Sequence, residues 1–346
     1  MNPADRKSIK KILLIRTDRI GDVVLSLPML PLLKKEFPNA SITIMVRSYT
    51  RELVEAHSDV SAVMLWDEKN SLLDYVKVLK EKHFDLAILP YPRFNLALIS
   101  FLSGIRIRVG TGYRWYSFLF NKKIYEHRKD AKRHEVEYNL NLLKAIGIES
   151  NGVPQFEFTI SDEVKIKTAN ILKSDGIISS TKFAVLHAGS GGSARDWKIE
   201  KFAELGDVLQ MKEGLRVVLT GGKNEEQLIA SLELKMKTKP INYTGKFSLQ
   251  ELAALFQRAS VFVSNSTGPL HIAAIVGTPV VAFYPPIIQC SSMRWGPYTK
   301  RKKIFTGDNN KCELCKGGAC QSNMCMDQIT VDQVVSGIKE LVNEKK

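Results

Sequence analysis

Short apolar runs of strand length alternate with helix-length amphipathic stretches along this chain, and the alternation starts again near its middle. In the first half, the runs Lys11 to Arg16 and Ser41 to Val46 flank an apolar-periodic stretch from Val23 to Phe37, and Asp85 to Leu89 follows. In the second half, the strand-like runs are Phe183 to His187, Arg216 to Leu219, Val261 to Val263 and Pro279 to Phe283. Because strands separated by helices pair in parallel through crossover connections, the pattern predicts an α/β protein.

The length of 346 residues exceeds the usual size of a single core, and an apolar content of 44% suffices for two cores. In the first half, Arg133 to Ile146 reads as a helix that Gly147 ends. The polar stretch Glu149 to Pro154 follows and would begin the crossing to a second domain. The sequence therefore predicts two doubly wound, Rossmann-like domains, residues 1–160 and 161–328, facing a cleft.

The N-terminal residues Met1 to Lys11 are polar and charged, which is unlike a secretory signal. The longest apolar stretches are interrupted by Arg93, Asn95 and Arg106. A membrane-spanning helix needs about 20 apolar residues in a row, so the sequence favours a cytoplasmic protein.

Half of the formal net charge of +14 lies in one segment, Arg106 to Arg133, which holds nearly all of the excess of the chain's first half. Five aromatic residues lie among its charges: Tyr113, Trp115, Tyr116, Phe118 and Phe120. Its nine basic residues are Arg106, Arg108, Arg114, Lys122, Lys123, Arg128, Lys129, Lys132 and Arg133, against Glu126 and Asp130. Such a segment suits an anionic membrane surface, a lipid headgroup or nucleic acid, and a solvated surface loop is the simpler alternative.

The stretch Ser264 to His271, SNSTGPLH, lies between an apolar strand and a helix predicted at Ile272 to Val276. The first turn of a helix has backbone N–H groups without intrahelical partners, and the helix dipole adds positive charge there. Ser266, Thr267 and Gly268 would therefore surround a phosphate, with His271 projecting toward the same ligand. An ordinary capped helix is the alternative.

Two further loops follow predicted strands in the second half. The first, His187 to Ser193, is rich in glycine and serine, so its backbone amides could surround a diphosphate, with Ser190, Arg195 and Lys198 beside it. The second, Gly221 to Glu225, offers a carboxylate for ribose hydroxyls, a role that Glu226 could fill equally well. Neither loop has the glycine spacing of a nicotinamide dehydrogenase or a P-loop NTPase.

Asp22 follows the first strand and the tight turn that Gly21 permits. A carboxylate there could simply cap a helix. Its position at the carboxyl end of a strand also suits a general base, and the sequence leaves both roles open.

Three motifs together resemble glycosyltransferase family 9, the ADP-heptose:lipopolysaccharide heptosyltransferases. They are the opening from Arg16 to Pro28, the loop His187 to Ser190 that leads to Arg195-Asp-Trp197, and Ser264 to Ala274 followed by Gly277-Thr-Pro279. The resemblance runs in order from about Lys11 to about Val335.

The resemblance implies a GT-B fold in which the N-terminal domain binds the acceptor and the C-terminal domain binds the nucleotide sugar. The terminal helix, within residues 329–346, would pack back on the first domain. Asp22 would be the base of an inverting transfer from an ADP-sugar. The implied donor-binding residues are Ser190, Arg195, Lys198, Glu225, Ser266, Thr267, Gly268 and His271. The family further implies no required metal or cofactor, no nucleic-acid partner and peripheral attachment to the inner membrane.

The basic segment would then bind a lipopolysaccharide core or lipid A acceptor. The residues assigned to this contact are Arg106, Arg108, Arg114, Lys122 and Lys123. Arg195 stands where family enzymes often have lysine, and Ser266 where they have an acid, so another nucleotide sugar is an alternative donor. A nucleotide-sugar epimerase and a basic nucleic-acid-binding protein are the rival classes.

Four of the five cysteines cluster as Cys312, Cys315, Cys320 and Cys325. The first pair has the spacing of a zinc knuckle, whereas the later spacing is less typical of one. A structural zinc site and reduced thiols both remain open.

Overall fold

The computed structural model describes residues 3–150, 152, 154, 158–192, 195–308 and 324–343. The chain divides into two compact units, Met1–Thr159 and Ile160–Lys346, where the sequence predicts a boundary after residue 160. Each unit contains a six-stranded sheet in which all paired strands are parallel. The predicted α/β class with two doubly wound domains is confirmed.

The first unit has its first strand at the centre of the sheet, in the order β3-β2-β1-β4-β5-β6. The strands are β1 (Lys11–Ile15), β2 (Ser41–Val46), β3 (Ala62–Leu65), β4 (Leu86–Ile88), β5 (Ile107–Thr111) and β6 (Lys122–Ile124). The helices are α1 (Pro3–Ser8), α2 (Ile20–Val24), α3 (Met29–Glu36), α4 (Leu72–Lys82), α5 (Phe94–Leu102) and α6 (Glu135–Leu142). The strand order reverses between β1 and β4, and such a switch point is where open α/β sheets bind ligands.

The helix predicted across Val23 to Phe37 is interrupted, and two helices, α2 and α3, stand in its place. A continuous helix would need the N–H of residue 28 to bond to the carbonyl of Val24, and Pro28 has no N–H. Leu27 donates to that carbonyl instead, at 3.1 Å, and the chain turns before α3 begins.

The second unit repeats the arrangement, in the order β12-β11-β10-β7-β8-β9. Its strands are β7 (Phe183–His187), β8 (Arg216–Leu219), β9 (Ile241–Asn242), β10 (Val261–Asn265), β11 (Val280–Tyr284) and β12 (Lys302–Thr306). Its helices are α7 (Asp162–Ser174), α8 (Ile199–Met211), α9 (Glu226–Lys235), α10 (Leu249–Arg258), α11 (Gly268–Ile275), α12 (Ser292–Trp295), α13 (Met324–Asp327) and α14 (Val331–Asn343). Its switch point lies between β7 and β10.

The terminal helix α14 belongs to the core of the second unit. Its buried residues Val334, Ile338 and Leu341 recur at helical spacing and pack in one cluster with Phe202 and Leu205 of α8. The apolar face of α14 is therefore used within its own unit, and the prediction that residues 329–346 pack back on the first domain stays a prediction.

Candidate functional site

Arg16 lies directly after β1, is only 1% exposed and contacts two carboxylates. Its Nε lies 2.9 Å from Oδ1 of Asp18, and its Nη2 lies 2.6 Å from Oδ1 of Asp22. Asp22 is the third residue of α2, and Arg19 occupies the N-cap, so capping does not account for Asp22. The Asp22 side chain is 16% exposed, which leaves it accessible while the guanidinium fixes its orientation.

Helix α6 supports Arg16 from its other side. The buried Glu135 places Oε1 3.5 Å from Nη2 of Arg16 and 2.5 Å from Nη1 of Arg128. The fully buried Asn139 accepts a hydrogen bond from Nη1 of Arg16 at 3.3 Å and donates to the carbonyl of Leu25 at 2.9 Å. Sequence reasoning missed both residues, which fix the group that holds Asp22.

The cluster around Arg16 changes the titration of Asp18. Burial raises the pKa of Asp18 to about 7, against the opposing effect of Arg16, and the nearby charge of Asp22 adds to the increase. The pKa of Arg16 itself is raised, because Asp18, Asp22 and Glu135 together outweigh its burial. Near neutral pH, this edge of the sheet therefore contains a permanent cation beside a carboxyl that is partly protonated.

The glycine-rich loop after β7 is buried at Ser190 and exposed at Gly191 and Gly192. Ser190 is buried, and its Oγ donates to Oδ2 of Asp196 at 3.1 Å. Gly191 and Gly192 have φ angles of +58° and +71°, a backbone conformation that glycine adopts at little cost. Burial raises the pKa of Asp196 to about 6, while the Ser190 hydrogen bond lowers it and Glu225 raises it.

Asn265, the last residue of β10, joins two parts of the site and was missed by sequence reasoning. It is fully buried, its Nδ2 donates to the carbonyl of Ala188 at 2.7 Å, and its Oδ1 accepts from the N–H of Trp197 at 2.8 Å. The Asn265 amide thus bonds to both ends of segment 188–197, which contains Ser190 and Arg195. It holds this segment at the end of β10. The turn Ser266 to Gly268 starts one residue later.

Glu225 lies in the loop after β8 and reaches back over the glycine-rich loop. Its Oε2 accepts from the N–H of Gly222 at 2.8 Å and lies 3.7 Å from Nε2 of His187. The ring of His187 is oriented by the hydroxyl of Thr220, 3.0 Å from Nδ1. A Cβ on Gly189 would stand 1.9 Å from Oε1 of Glu225, so this glycine makes room for the carboxylate.

The turn after β10 leads into helix α11, which begins at Gly268. Pro269 lies in the first turn, where proline is favoured, and the apolar stretch predicted from Ile272 continues the same helix. Thr267 is the N-cap residue with extended backbone, but its side chain makes no capping hydrogen bond. Ser266, Thr267 and Gly268 are partly exposed, and His271 is buried on the first turn. The first turn of a helix has N–H groups without intrahelical partners, which suits an anion.

The donor-site residues predicted from sequence fall into two groups. Ser190, Glu225 and the Ser266-to-His271 turn follow neighbouring strands of one sheet, and Arg195 precedes Asp196, which bonds to Ser190. Lys198 differs, because its Nζ lies 2.7 Å from Oδ2 of Asp327 in α13. The ion pair offsets part of the charge that Lys198 would offer to a phosphate.

The five residues predicted to bind the acceptor do not lie at one edge of their sheet. Arg106 precedes β5 and donates to the hydroxyl of Ser8, and Arg108 donates through Nε to the carbonyl of Leu119 at 2.8 Å. Arg114 follows β5, at the same edge as Asp22. A strand of five residues spans about 16 Å, so Arg106 and Arg114 lie at opposite ends of β5, and the assignment of these five residues to the acceptor stays a prediction. Lys122 and Lys123 lie on the outermost strand, β6.

Within the part of the chain that the structure describes, no group of three or more His, Cys, Asp or Glu side chains is arranged to hold a metal ion. Cys312, Cys315 and Cys320 lie outside the described residues, and Cys325 is buried in α13. Among the same described residues, no helix is both long enough and apolar enough to span a membrane.

Comparison with known proteins identifies the class of enzyme. The model of glycosyltransferase family 9 (heptosyltransferase) matches residues 73–325, and the chain belongs to this family of glycosyltransferases. Lipopolysaccharide heptosyltransferase 3 of Escherichia coli K12 is 24% identical over 336 residues, which cover 94% of this chain and 96% of that protein. The resemblance inferred from the three motifs is confirmed.

Two solved structures share the architecture. The glycosyl transferase family 9 protein from Veillonella parvula DSM 2008 has 22% identity and a TM-score of 0.85, covering 98% of this chain and 99% of its own. The E. coli ADP-heptose LPS heptosyltransferase II has 23% identity and a TM-score of 0.81, covering 96% of this chain and 98% of its own. The predicted GT-B fold is confirmed.

Proposed function

We propose that this enzyme transfers a heptose or a related sugar from an ADP-sugar to a hydroxyl of the lipopolysaccharide core, with inversion at the anomeric carbon. The observation that supports this most directly is the pair of hydrogen bonds made by the Asn265 side chain, which holds the Ser190 loop next to the turn that starts α11. Two loops with backbone N–H groups at neighbouring strand ends suit a diphosphate. The names of the relatives point to ADP-heptose and lipopolysaccharide.

In this proposal, the second unit binds the donor. Ser190, Thr267 and Gly268 hold the diphosphate together with Ser266, His271 and the cation of Arg195, while Glu225 accepts hydrogen bonds from the ribose. The leaving ADP gains negative charge as the glycosidic bond breaks, so N–H groups and a cation that are already in place lower the barrier. This charge stabilisation is the reason that we expect transfer without an added metal or cofactor.

Asp22 is the proposed base. As the acceptor oxygen attacks the anomeric carbon, its proton passes to the Asp22 carboxylate and the sugar–phosphate bond breaks, which gives inversion in a single displacement. Arg16 holds Oδ1 of Asp22 at 2.6 Å, so the other oxygen is the one free to accept the proton. Arg114 is the acceptor-binding candidate at the same edge of the sheet. The acceptor is a lipid, and we propose peripheral attachment to the inner membrane.

The proposal predicts a nucleotide preference. Calorimetric titration with ADP, UDP and GDP, with and without magnesium, is expected to show the tightest binding for ADP and little effect of the metal. A preference for UDP or GDP would reject an ADP-sugar as the donor, while the fold and the proposed role of Asp22 would be unaffected. Turnover of a nucleotide sugar without any acceptor would favour an epimerase instead.

Glu225 and Gly189 give a second prediction. Ala at position 189 would displace the Glu225 carboxylate, so Gly189→Ala and Glu225→Ala should raise the dissociation constant for ADP to a similar extent, by roughly 10- to 100-fold for a lost charged hydrogen bond. Glu226→Ala is the matched control and should bind ADP like the wild type. If calorimetry shows that Glu226→Ala weakens ADP binding more than Glu225→Ala does, Glu226 is the residue that binds the ribose.

Asp196 gives a prediction on pH. The pKa of Asp196 is about 6, and bound ADP would bring negative charge beside it, so binding favours the protonated carboxyl. ADP affinity should therefore fall as pH rises through about 6, because the carboxylate then forms and repels the ligand. Asp196→Asn should weaken this dependence, and ADP's own titration, common to both proteins, cancels in the comparison. If ADP affinity depends on pH in the same way in the wild type and in Asp196→Asn, Asp196 does not lie beside the bound ADP.

A further inference from the structure

Helix α5 has an exposed side that is almost entirely apolar. Its sequence is FNLALISFL, in which Leu96, Ala97, Ile99 and Ser100 are buried. On the outer side, Phe101 and Leu102 are each 45% exposed. Phe94 and Leu98 are partly exposed, so Asn95 is the strongly polar side chain on this face. A helix on the surface of a globular protein normally presents charged and polar residues to water, so this face is unusual.

Two aromatic residues from the loop after β5 extend this surface. Trp115 is 74% exposed and stacks on Phe94 with ring centroids 4.9 Å apart, and Phe118 is 67% exposed. Phe118 lies in the turn Ser117–Leu119. The carbonyl of Leu119 accepts from Arg108, whose guanidinium lies 5.1 Å from the Phe101 ring. Together these side chains form the α5 stripe: Phe94, Leu98, Phe101, Leu102, Trp115 and Phe118.

The chain segment that carries the α5 stripe has charges of one sign. Residues 86–125 contain six Lys or Arg residues and no Asp or Glu. Arg93 lies at the N-cap of α5, Arg106 and Arg108 lie beyond its C-terminal end, and Arg114 precedes Trp115. Arg93, Arg106 and Arg114 are exposed. Helix α4, which packs against α5, carries Asp74 and Glu81 together with Lys77, Lys80 and Lys82. A stripe of aromatic and aliphatic side chains with an excess of cations beside it is complementary to a surface with an apolar interior and an anionic face.

We propose that the α5 stripe is a docking surface for an anionic lipid bilayer. The apolar side chains would enter the interfacial layer, where aromatic rings are favoured, and the arginines would contact headgroup phosphates. The inference extends the proposed function, because it assigns membrane attachment to one face of the acceptor-binding unit. It also gives a role to Arg106 and Arg108, which lie away from the edge that carries Asp22.

The test is sedimentation of the full-length protein with vesicles, without nucleotide or acceptor. One set of vesicles is pure phosphatidylcholine, and the other contains about one third phosphatidylglycerol. The variant is Leu102→Ser combined with Phe118→Ser, two exposed side chains that can change without opening a core. The matched control is Leu234→Ser, since Leu234 on α9 is 87% exposed and lies in the other unit. ADP titration and thermal unfolding check that each variant is folded.

We expect the wild type and Leu234→Ser to bind the anionic vesicles, with binding weakened by salt. The double variant should bind at least about tenfold more weakly, because it removes two of the six apolar contacts. The proposal is overturned if the wild-type protein does not bind anionic vesicles, or if the double variant binds them as tightly as the wild type. Self-association that the double variant abolishes in the absence of vesicles would also overturn it and assign the stripe to a second copy. ADP binding is measured separately, so loss of the membrane proposal leaves the donor proposal intact.

Discussion

Replacing Asp22 by asparagine is expected to lower kcat by about 10³-fold, while the dissociation constant for ADP changes less than about twofold. The amide keeps the size of the carboxylate and can still contact Arg16, but it cannot accept the proton of the attacking hydroxyl. A transfer assay with saturating donor measures the first value, and calorimetry measures the second.

Asp18→Asn is the matched control for this experiment. It makes the same chemical change four residues earlier and at the same guanidinium, which lies 2.9 Å from Asp18 and 2.6 Å from Asp22. We expect kcat to fall less than about tenfold in this variant, because Asp18 is already partly protonated near neutral pH. If Asp22→Asn keeps more than a tenth of wild-type kcat, or if Asp18→Asn is the more damaging change, Asp22 is not the base.

Asn265→Ala should have the largest effect on the donor site. It removes the donor to the carbonyl of Ala188 and the acceptor for the N–H of Trp197, so two buried backbone groups lose their partners. Each such loss costs about 1–3 kcal/mol, so the second unit should be destabilised by roughly 3 kcal/mol. The dissociation constant for ADP should rise about 100-fold, because the Ser190 loop is no longer fixed beside α11.

Asn242→Ala provides the comparison within the same sheet. Asn242 also uses both ends of its amide, donating to Glu233 at 2.8 Å and accepting from the N–H of Thr244 at 2.9 Å, but it is partly exposed on the edge strand β9. Water can replace those partners, so we expect a loss below about 1 kcal/mol and unchanged ADP affinity. Equal losses in the two variants by denaturant unfolding would mean that Asn265 has no special role.

The strands that sequence predicts best are those buried on both faces. The runs Lys11 to Arg16 and Phe183 to His187 contain β1 and β7, which lie at the centres of their sheets. The strands that were missed include β6 and β12, which lie at sheet edges and begin with two lysines each. An edge strand has one side without a neighbour and tolerates charged residues, so apolar runs do not reveal it.

The loops of the site were found from residue types, whereas the contacts that fix them were not. Glycine and serine after a predicted strand point to Ser190, and Gly268 before an apolar helix points to α11. Asn265 and Asn139 act on partners 77 and 123 positions away in the chain, and no local pattern encodes that distance. One feature of the sequence could have revealed part of this network. Glu135 and Asn139 are polar residues four positions apart, so they lie on one side of α6 beside its apolar face, where a polar side chain needs a buried partner.

Trp197 connects the Ser190 loop to the segment that precedes α14. Its indole N–H donates to the carbonyl of Ile329 at 3.0 Å, and its ring stacks on Phe283 with centroids 4.3 Å apart. Its backbone N–H is the one that Asn265 holds. During synthesis, the Ser190 loop therefore lacks part of its support until residue 329 and the helix that follows it have been made. Binding of ADP at the proposed donor site would consequently depend on residue 329 and α14, and a variant that stops before α14 is expected to lose ADP binding as well as that helix.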